Sequence, residues 1–294
     1  MEKVLKVLIT GVTGYIGSHL AKVLFEAGHE ITGLDIEWKK HNSQVSRYCT
    51  RILIKDVTKH ICDEDYDVIV HLAGLIQVEE SIAHPTKYYS TNLGGTVNML
   101  RQNVNYQPHF IFASTAGAFD PTNPYARSKI AAEDVIKERS KNYTIFRFFN
   151  VAGSDSMHRQ VGRASHLIRI AAEAAAGKRD YMYIYGDDYD TPDGSCVRDY
   201  IHVVDLVNAI RDTIKHGPFN TPYECIGSGK GYSVKEVIQT MKDVTGQDFT
   251  VKMAGRRDGD PASLAITNQF SLLHPQYQLK DMCLSAYNVE KYTI

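Results

Sequence analysis

Along the first half of the chain, short apolar runs alternate with stretches in which apolar residues return every three or four positions. Val4–Thr10 has the continuous apolar pattern of a strand covered on both faces, and Gly17–Ala27 carries helical spacing that stops at Gly28. Glu30–Asp35, Arg51–Ile54 and Asp67–Leu72 repeat the strand pattern. A helix is predicted over Pro85–Asn103, a strand over His109–Ala113, a helix over Asn123–Lys141 and a strand over Tyr143–Phe148. Strands and helices in this alternation predict an α/β fold built on a Rossmann-type doubly wound parallel sheet. After Asn150 the pattern loosens. His166–Ala176 is Ala-rich and helical, Gly186–Gly194 is an acidic, turn-rich loop, and strand and helix pieces continue beyond it. The expected organisation is one domain over residues 1–150 and a smaller α/β lobe over 151–294, part of which returns to the first domain.

The turn after the first strand reads TGVTGYIGSH and places Gly11, Gly14 and Gly17 between a strand and a helix. The first glycine permits a tight turn, and the second lets the backbone approach a pyrophosphate. The third lets the helix pack close to the strand, with its N-terminus toward the phosphates. The spacing is G-x-x-G-x-x-G, and its weight comes from the strand-to-helix context. Asp35 closes the next strand, where a carboxylate accepts from a ribose 2′-OH and repels a 2′-phosphate, so NAD is favoured over NADP. The competing reading is an aspartate that caps a strand end. Asp56 and Val57, after the third strand, suit an adenine contact or an ordinary turn. Residues 1–150 are thus expected to be an NAD-binding domain, and 151–294 a mainly substrate-binding lobe.

Net charge changes the picture by exclusion. With 33 Lys+Arg against 34 Asp+Glu, nothing marks a nucleic-acid or anionic-membrane surface. The five cysteines are scattered without a C-x-x-C pair, which argues against a metal site or disulfide framework and suits a reducing cytosol. No apolar run reaches membrane-spanning length, so a cytoplasmic protein is expected.

Tyr125 and Lys129 stand at i and i+4 in PYARSK, on one face of the predicted helix. A nearby ammonium and an oxidised nicotinamide would both favour the phenolate, lowering a pKa that is normally about 10 toward working pH. Tyr125 could then take a proton from a sugar hydroxyl. The bland alternative is a surface pair. Ser114-Thr115 follows the strand His109–Ala113, at the strand end where ligands bind in such sheets, although Ser-Thr there also serves as a helix cap.

At this point the chain resembles the extended short-chain dehydrogenase/reductase superfamily and, within it, the UDP-glucose 4-epimerase family. The matching segments are TGVTGYIGSHL, VIVHLAGLIQVEES, PTKYYSTNLGGT, FIFAST, NPYARSK, FRFFNVAG, IYGDDYDTPDGSCVRDYIHVVDL and GRRDGDPASL, in family order from residue 10 to 264. The resemblance implies Tyr125 as the acid/base, Lys129 as its electrostatic partner and ribose clamp, and Thr115 as the hydroxyl beside the sugar. It implies an NAD site lined by Gly11, Gly14, Tyr15, Ile16, Gly17, Asp35, Asp56, Val57, Leu72, Ala73, Gly74 and Asn92. It implies a UDP-sugar site in which Asn150 holds the diphosphate region, Arg198 and Arg257 neutralise phosphates, and Asp260 binds the uridine ribose. Tyr185 would lie near the uracil, and Tyr183, His166 and Leu167 would belong to the same substrate pocket. Leu264, where members restricted to plain hexoses carry tyrosine, opens the N-acetylhexosamines as substrates. Homodimers through the helices Pro85–Asn103 and Asn123–Lys141 are also implied.

Three departures matter. Nine residues separate Thr115 from Tyr125, fewer than in most epimerases. Ala118-Phe119-Asp120 stands where the family has Val-Tyr-Gly, and residues 265–294 match poorly. They keep a catalytically quiet NAD-binding sensor as the alternative. A dehydratase is disfavoured, because Ala116 and Gly117 occupy the positions of the acidic pair it needs. A simple dehydrogenase explains fewer motifs.

Overall fold

The computed structural model describes residues 3–62, 64–102, 107–160, 164–257, 259–266 and 273–292. The chain divides into two compact units, Met1–Phe148 with Val207–Glu224, and Phe149–Leu206 with Cys225–Ile294.

In the first unit β1 (Lys6–Thr10) leads into α1 (Tyr15–Glu26), β2 (Glu30–Asp35), β3 (Arg51–Ile54) and β4 (Val68–His71). Then come α2 (Val78–Ala83), α3 (Pro85–Tyr88), α4 (Gly94–Gln102), β5 (His109–Thr115), α5 (Pro124–Arg139) and β6 (Tyr143–Phe148). Six of these strands pair in parallel in the order β6-β5-β4-β1-β2-β3. Their apolar runs are buried as a parallel sheet requires: Leu8, Leu34, Ile69, Phe110, Phe112 and Ile145 form one core with Ala132 and Ile136 of α5. The strand order reverses between β1 and β4. In such sheets ligands bind beyond the carboxyl ends of the strands flanking that reversal.

The bounds of β2, β3 and β6 are those predicted. The helix predicted over Pro85–Asn103 runs over Pro85–Gln102 with a π-helical turn at Tyr89–Leu93 inside it, and Asn103 lies outside the described residues. The wide turn carries Asn92, whose side chain exchanges hydrogen bonds with the Leu75 backbone, a tertiary contact that periodicity does not reveal. β5 runs to Thr115, two residues past its predicted end.

The second unit holds β7 (Asn150–Ala152), α6 (Leu167–Ala175), β8 (Tyr181–Tyr185) and β9 (Val197–His202). α7 (Val203–His216) starts there and continues into the first unit. β10 (Glu224–Ile226), whose first residue belongs to the first unit, adds a seventh strand to the large sheet at β6. β11 (Gly231–Ser233), α8 (Val234–Thr245), β12 (Thr250–Ala254), β13 (Ser263–Leu264) and α9 (Leu279–Tyr292) complete the unit. β7, β11 and β13 all pair with β9, while β8 and β12 form a separate parallel pair. The alanines of α6 let α8 and α9 pack closely, so Ala171, Ala172, Val237, Met241, Met282 and Tyr287 share one core. α8 opens with a capping box, Ser233 with Glu236, and ends at Gly246 with φ 64°. Among the described residues, no helix is long and apolar enough to cross a membrane.

Candidate active site

The glycine loop is closed by contacts that leave no room for side chains. Gly11 has φ +75°, and a Cβ there would stand 3.0 Å from the Ala73 backbone nitrogen across the sheet reversal. A Cβ on Gly17 would fall 2.2 Å from the Gly11 carbonyl oxygen, and one on Gly14 would fall 3.0 Å from it. The chain therefore forms the bare backbone cradle that a pyrophosphate requires, with α1 starting at Tyr15 and Ile16 just beyond it. By this criterion the loop fits a dinucleotide.

Asp35 is 4% exposed and does more than close β2. Its Oδ2 accepts the Thr13 N–H and hydroxyl, and its Oδ1 accepts the Ile36 N–H at 2.8 Å and Lys39 Nζ at 3.1 Å. The carboxylate braces the glycine loop at the end of the strand where a ribose would lie. Asp56 has turn geometry: its Oδ1 accepts the Thr58 N–H and hydroxyl, and these bonds hold its carboxyl below the usual range. Val57 beside it is buried.

Beyond β4, Leu72, Ala73 and Gly74 follow a strand end organised by His71. Thr10 Oγ1 accepts the Ala73 N–H at 3.1 Å and lies 2.7 Å from His71 Nδ1. Burial, aided by Lys129, pushes the His71 imidazole down to about 3, so it is neutral at physiological pH. Asn92 also bonds Ser128 at 3.0 Å, joining its π turn to α5. A Cβ on Gly74 would meet Asn92 Oδ1 at 2.9 Å and Lys129 Nζ at 3.2 Å, so these residues converge.

Asn123 caps α5 by accepting the Ala126 N–H, and Pro124 at the first turn suits the fixed φ there. Lys129 is 3% exposed, which rules out the surface-pair reading. Its Nζ donates to the Ala113 carbonyl at 2.9 Å and stands 4.8 Å from the Phe112 ring centre. Burial pulls this ammonium down to about 8, while the Glu133 carboxylate pushes it back up. Thr115 caps the short turn Ala116–Phe119, its Oγ1 accepting the Gly117 N–H at 3.1 Å. The expected lowering of the Tyr125 phenol is corrected for the chain by itself. Burial raises it and outweighs the Thr115 side chain, which lowers it.

In the second unit the nucleotide candidates fall into two groups. On β9, Arg198 donates to the Asp260 carboxylate at 2.9 Å and is in register with Leu264 of β13. The Asp260 N–H bonds to the Arg257 carbonyl, and the Arg257 guanidinium stacks 3.8 Å from the Tyr185 ring centre. Tyr183 lies 5.7 Å from Tyr185 on the same face of β8. Arg198 is largely buried, whereas Arg257 is exposed. In the other group, Asn150, His166 and Leu167 line one cleft with Arg159, Arg169 and Glu290. Asn150 Nδ2 donates to the Asp199 carbonyl, and burial with Arg169 lowers the His166 imidazole.

Sequence reasoning missed Thr13, His71, Glu133, Arg147, Arg159, Arg169 and Glu290. For two of them a signal was present. Glu133 is four residues after Lys129, and Arg147 sits inside a strand read as buried, where a charge demands a partner.

A family model described as the NAD dependent epimerase/dehydratase family matches residues 7–225. The curated UDP-glucose 4-epimerase of Halalkalibacterium halodurans is 36% identical across 97% of this chain and 95% of its own length. The Bifidobacterium longum UDP-glucose 4-epimerase, crystallised with NAD+ and UDP, superposes with a TM-score of 0.88 at 28% identity, covering 97% of this chain and 98% of that one. The UDP-Glc/GlcNAc 4-epimerase of Campylobacter jejuni superposes with a TM-score of 0.79 at 36% identity, covering 98% and 99%.

Proposed function

The chain belongs to the NAD dependent epimerase/dehydratase family and, within it, to the UDP-glucose 4-epimerases, and from that premise we propose that it inverts C4 of UDP-hexoses, interconverting UDP-glucose with UDP-galactose and UDP-GlcNAc with UDP-GalNAc. The observation that carries the reading is the meeting of α5 with the carboxyl end of β5: Lys129 donates to the Ala113 carbonyl, Thr115 closes the strand, and Tyr125 stands one helical turn before Lys129.

NAD, when bound, supplies reversible hydride acceptance, the chemistry that a transient 4-keto sugar requires. Gly11, Gly14, Tyr15, Ile16, Gly17 and Asp35 would hold its pyrophosphate and ribose end. Asp56, Val57, Leu72, Ala73, Gly74 and Asn92 would complete the site. Tyr125 takes the proton of the 4-hydroxyl and later returns one to the inverted oxygen. Thr115 orients that hydroxyl, and the Lys129 ammonium favours the phenolate against the burial that opposes it. Arg198 and Arg257 would neutralise the diphosphate, with Asn150, His166 and Leu167 beside it. Asp260, Tyr183 and Tyr185 would take the uridine. The N-acetyl sugars enter the reading on Leu264, and the Campylobacter jejuni enzyme, 36% identical, is named for both substrates. A homodimer through α4 and α5 in the cytoplasm is part of this reading, supported by the family resemblance and checked by light scattering.

The test is direct. Purified protein is incubated with UDP-galactose and, separately, with UDP-GalNAc, and the C4 epimers are resolved by NMR. Both should form, and Tyr125→Phe should lower kcat by about a hundredfold or more. A protein that retains NAD but converts neither sugar would return the sensor alternative, which the epimerase relatives now disfavour.

A further inference from the structure

Several groups that the proposed chemistry leaves unused meet beneath the Tyr125–Lys129 face of α5. Glu133, one helical turn after Lys129, is 0% exposed. Its Oε1 accepts the Ser114 hydroxyl at 2.5 Å and Arg147 Nε–H at 2.9 Å, and its Oε2 accepts an Arg147 terminal N–H at 2.8 Å. Lys137, one turn further on, reaches the same carboxylate at 3.5 Å. The Arg147 guanidinium lies 3.7 Å from the Tyr223 ring centre and 5.0 Å from that of Phe119. Phe119 belongs to the shortened loop that departs from the family, and its ring meets Tyr223 edge-on at 5.9 Å.

A carboxylate with no exposure is tolerated only when paired and hydrogen-bonded. Here the pairing joins four pieces of structure. Ser114 brings the end of β5, Glu133 brings α5, Arg147 brings β6, and Phe119 ties in the loop between Thr115 and Tyr125. Ser114 is the immediate neighbour of Thr115, so the bond that holds Ser114 also sets where the Thr115 hydroxyl sits.

We propose that Glu133 is a positioning residue for the epimerisation, its carboxylate clamping the strand end of Ser114 and Thr115 to the helix of Tyr125 and Lys129 while supplying the counter-charge to the Lys129 ammonium. The proposal rests on the epimerase reading of the site. Around Lys129, its own helix presents Tyr125 and Glu133, and β4 presents His71, which burial keeps neutral. Phe112 and Ala113 of β5 and Asn92 of the π turn bring no charge. Arg147 stands across Glu133, which leaves the Glu133 carboxylate as the group that favours the charged lysine. A charge one helical turn away, in a medium of effective dielectric about 20, moves a titration by on the order of one to two pH units.

The experiment compares wild type, Glu133→Gln and the neutral pair Glu133→Gln/Arg147→Met, all loaded with NAD. The Lys129 13Cε signal, assigned by its loss in Lys129→Arg, is titrated by NMR, and kcat for UDP-galactose is measured against pH. In Glu133→Gln the Lys129 titration should fall by about one unit or more, and the alkaline limb of kcat should move down with it, while KM stays within about twofold. The double variant, which removes Arg147 together with the carboxylate it pairs with, should regain thermal stability yet keep the displaced titration and limb. An unmoved Lys129 titration in Glu133→Gln overturns the proposal, as does a double variant whose recovered stability restores the wild-type pH profile. If Glu133→Gln fails to fold, the double variant decides by the same two readouts. If wild type turns over neither UDP-sugar, the epimerase reading falls, and the Lys129 titration still shows whether Glu133 supplies the counter-charge.

Discussion

Asp35 grips the glycine loop from the neighbouring strand: its Oδ2 accepts both the Thr13 N–H, at 3.0 Å, and the Thr13 hydroxyl, at 2.8 Å. The glycine loop and the Asp35 carboxylate are therefore one mechanical piece. Thr13→Val deletes the hydroxyl bond and leaves the N–H bond. It should weaken NAD binding by about tenfold to a hundredfold, the worth of one buried hydrogen bond to a charged acceptor. Calorimetry on cofactor-stripped protein reads this. Unchanged affinity in Thr13→Val beside a large loss in Asp35→Ala would mean that Asp35 acts on the ribose alone.

Gly17 faces the Gly11 carbonyl so closely that even one methyl group cannot enter, its Cβ falling 2.2 Å from that oxygen. Gly17→Ala must push α1 off the loop, at about 1–3 kcal/mol for an overpacked site. We expect a lower Tm and loss of bound NAD through gel filtration. Normal cofactor retention would show that the helix can retreat without opening the cradle.

Lys129 gives a pH signature in stability. Its folded pKa, about 8, lies below the ordinary 10.5, so folding disfavours the ammonium. The penalty is fully present below pH 8 and is relieved as pH rises from there toward 10.5, because the unfolded chain binds the extra proton across that window. Wild type should therefore gain stability relative to Lys129→Met over this range, by on the order of 3 kcal/mol. Urea midpoints of both proteins measure it. A difference that stays flat with pH would mean that the burial penalty has been compensated.

Leu264 is in register with Arg198, the residue that carries Asp260. Leu264→Tyr adds bulk at that position and should cut kcat/KM for UDP-GalNAc about tenfold or more, with UDP-galactose much less affected. Equal losses on both sugars would refute a gatekeeper role.

What the sequence by itself determined is what depends on near neighbours in the chain. Apolar periodicity marks which segments are strands and which are helices, so β2, β3 and β6 have the predicted limits. The glycine spacing reports a turn that only bare backbone can make, and the Tyr125–Lys129 interval reports a shared helix face. Tertiary structure alone decided the partners and the environments. Ser114 meets Glu133 across 19 residues, Arg147 meets Glu133 across 14, and Arg198 meets Asp260 across 62. The π turn under Asn92 answers to the distant Leu75 backbone. The upward push on Tyr125 comes from burial, a quantity set by everything packed around a ring. Local sterics are written into consecutive residues. Desolvation and ion pairing depend on which surfaces the fold brings together, and so they became readable only once β5, α5 and β6 stood side by side.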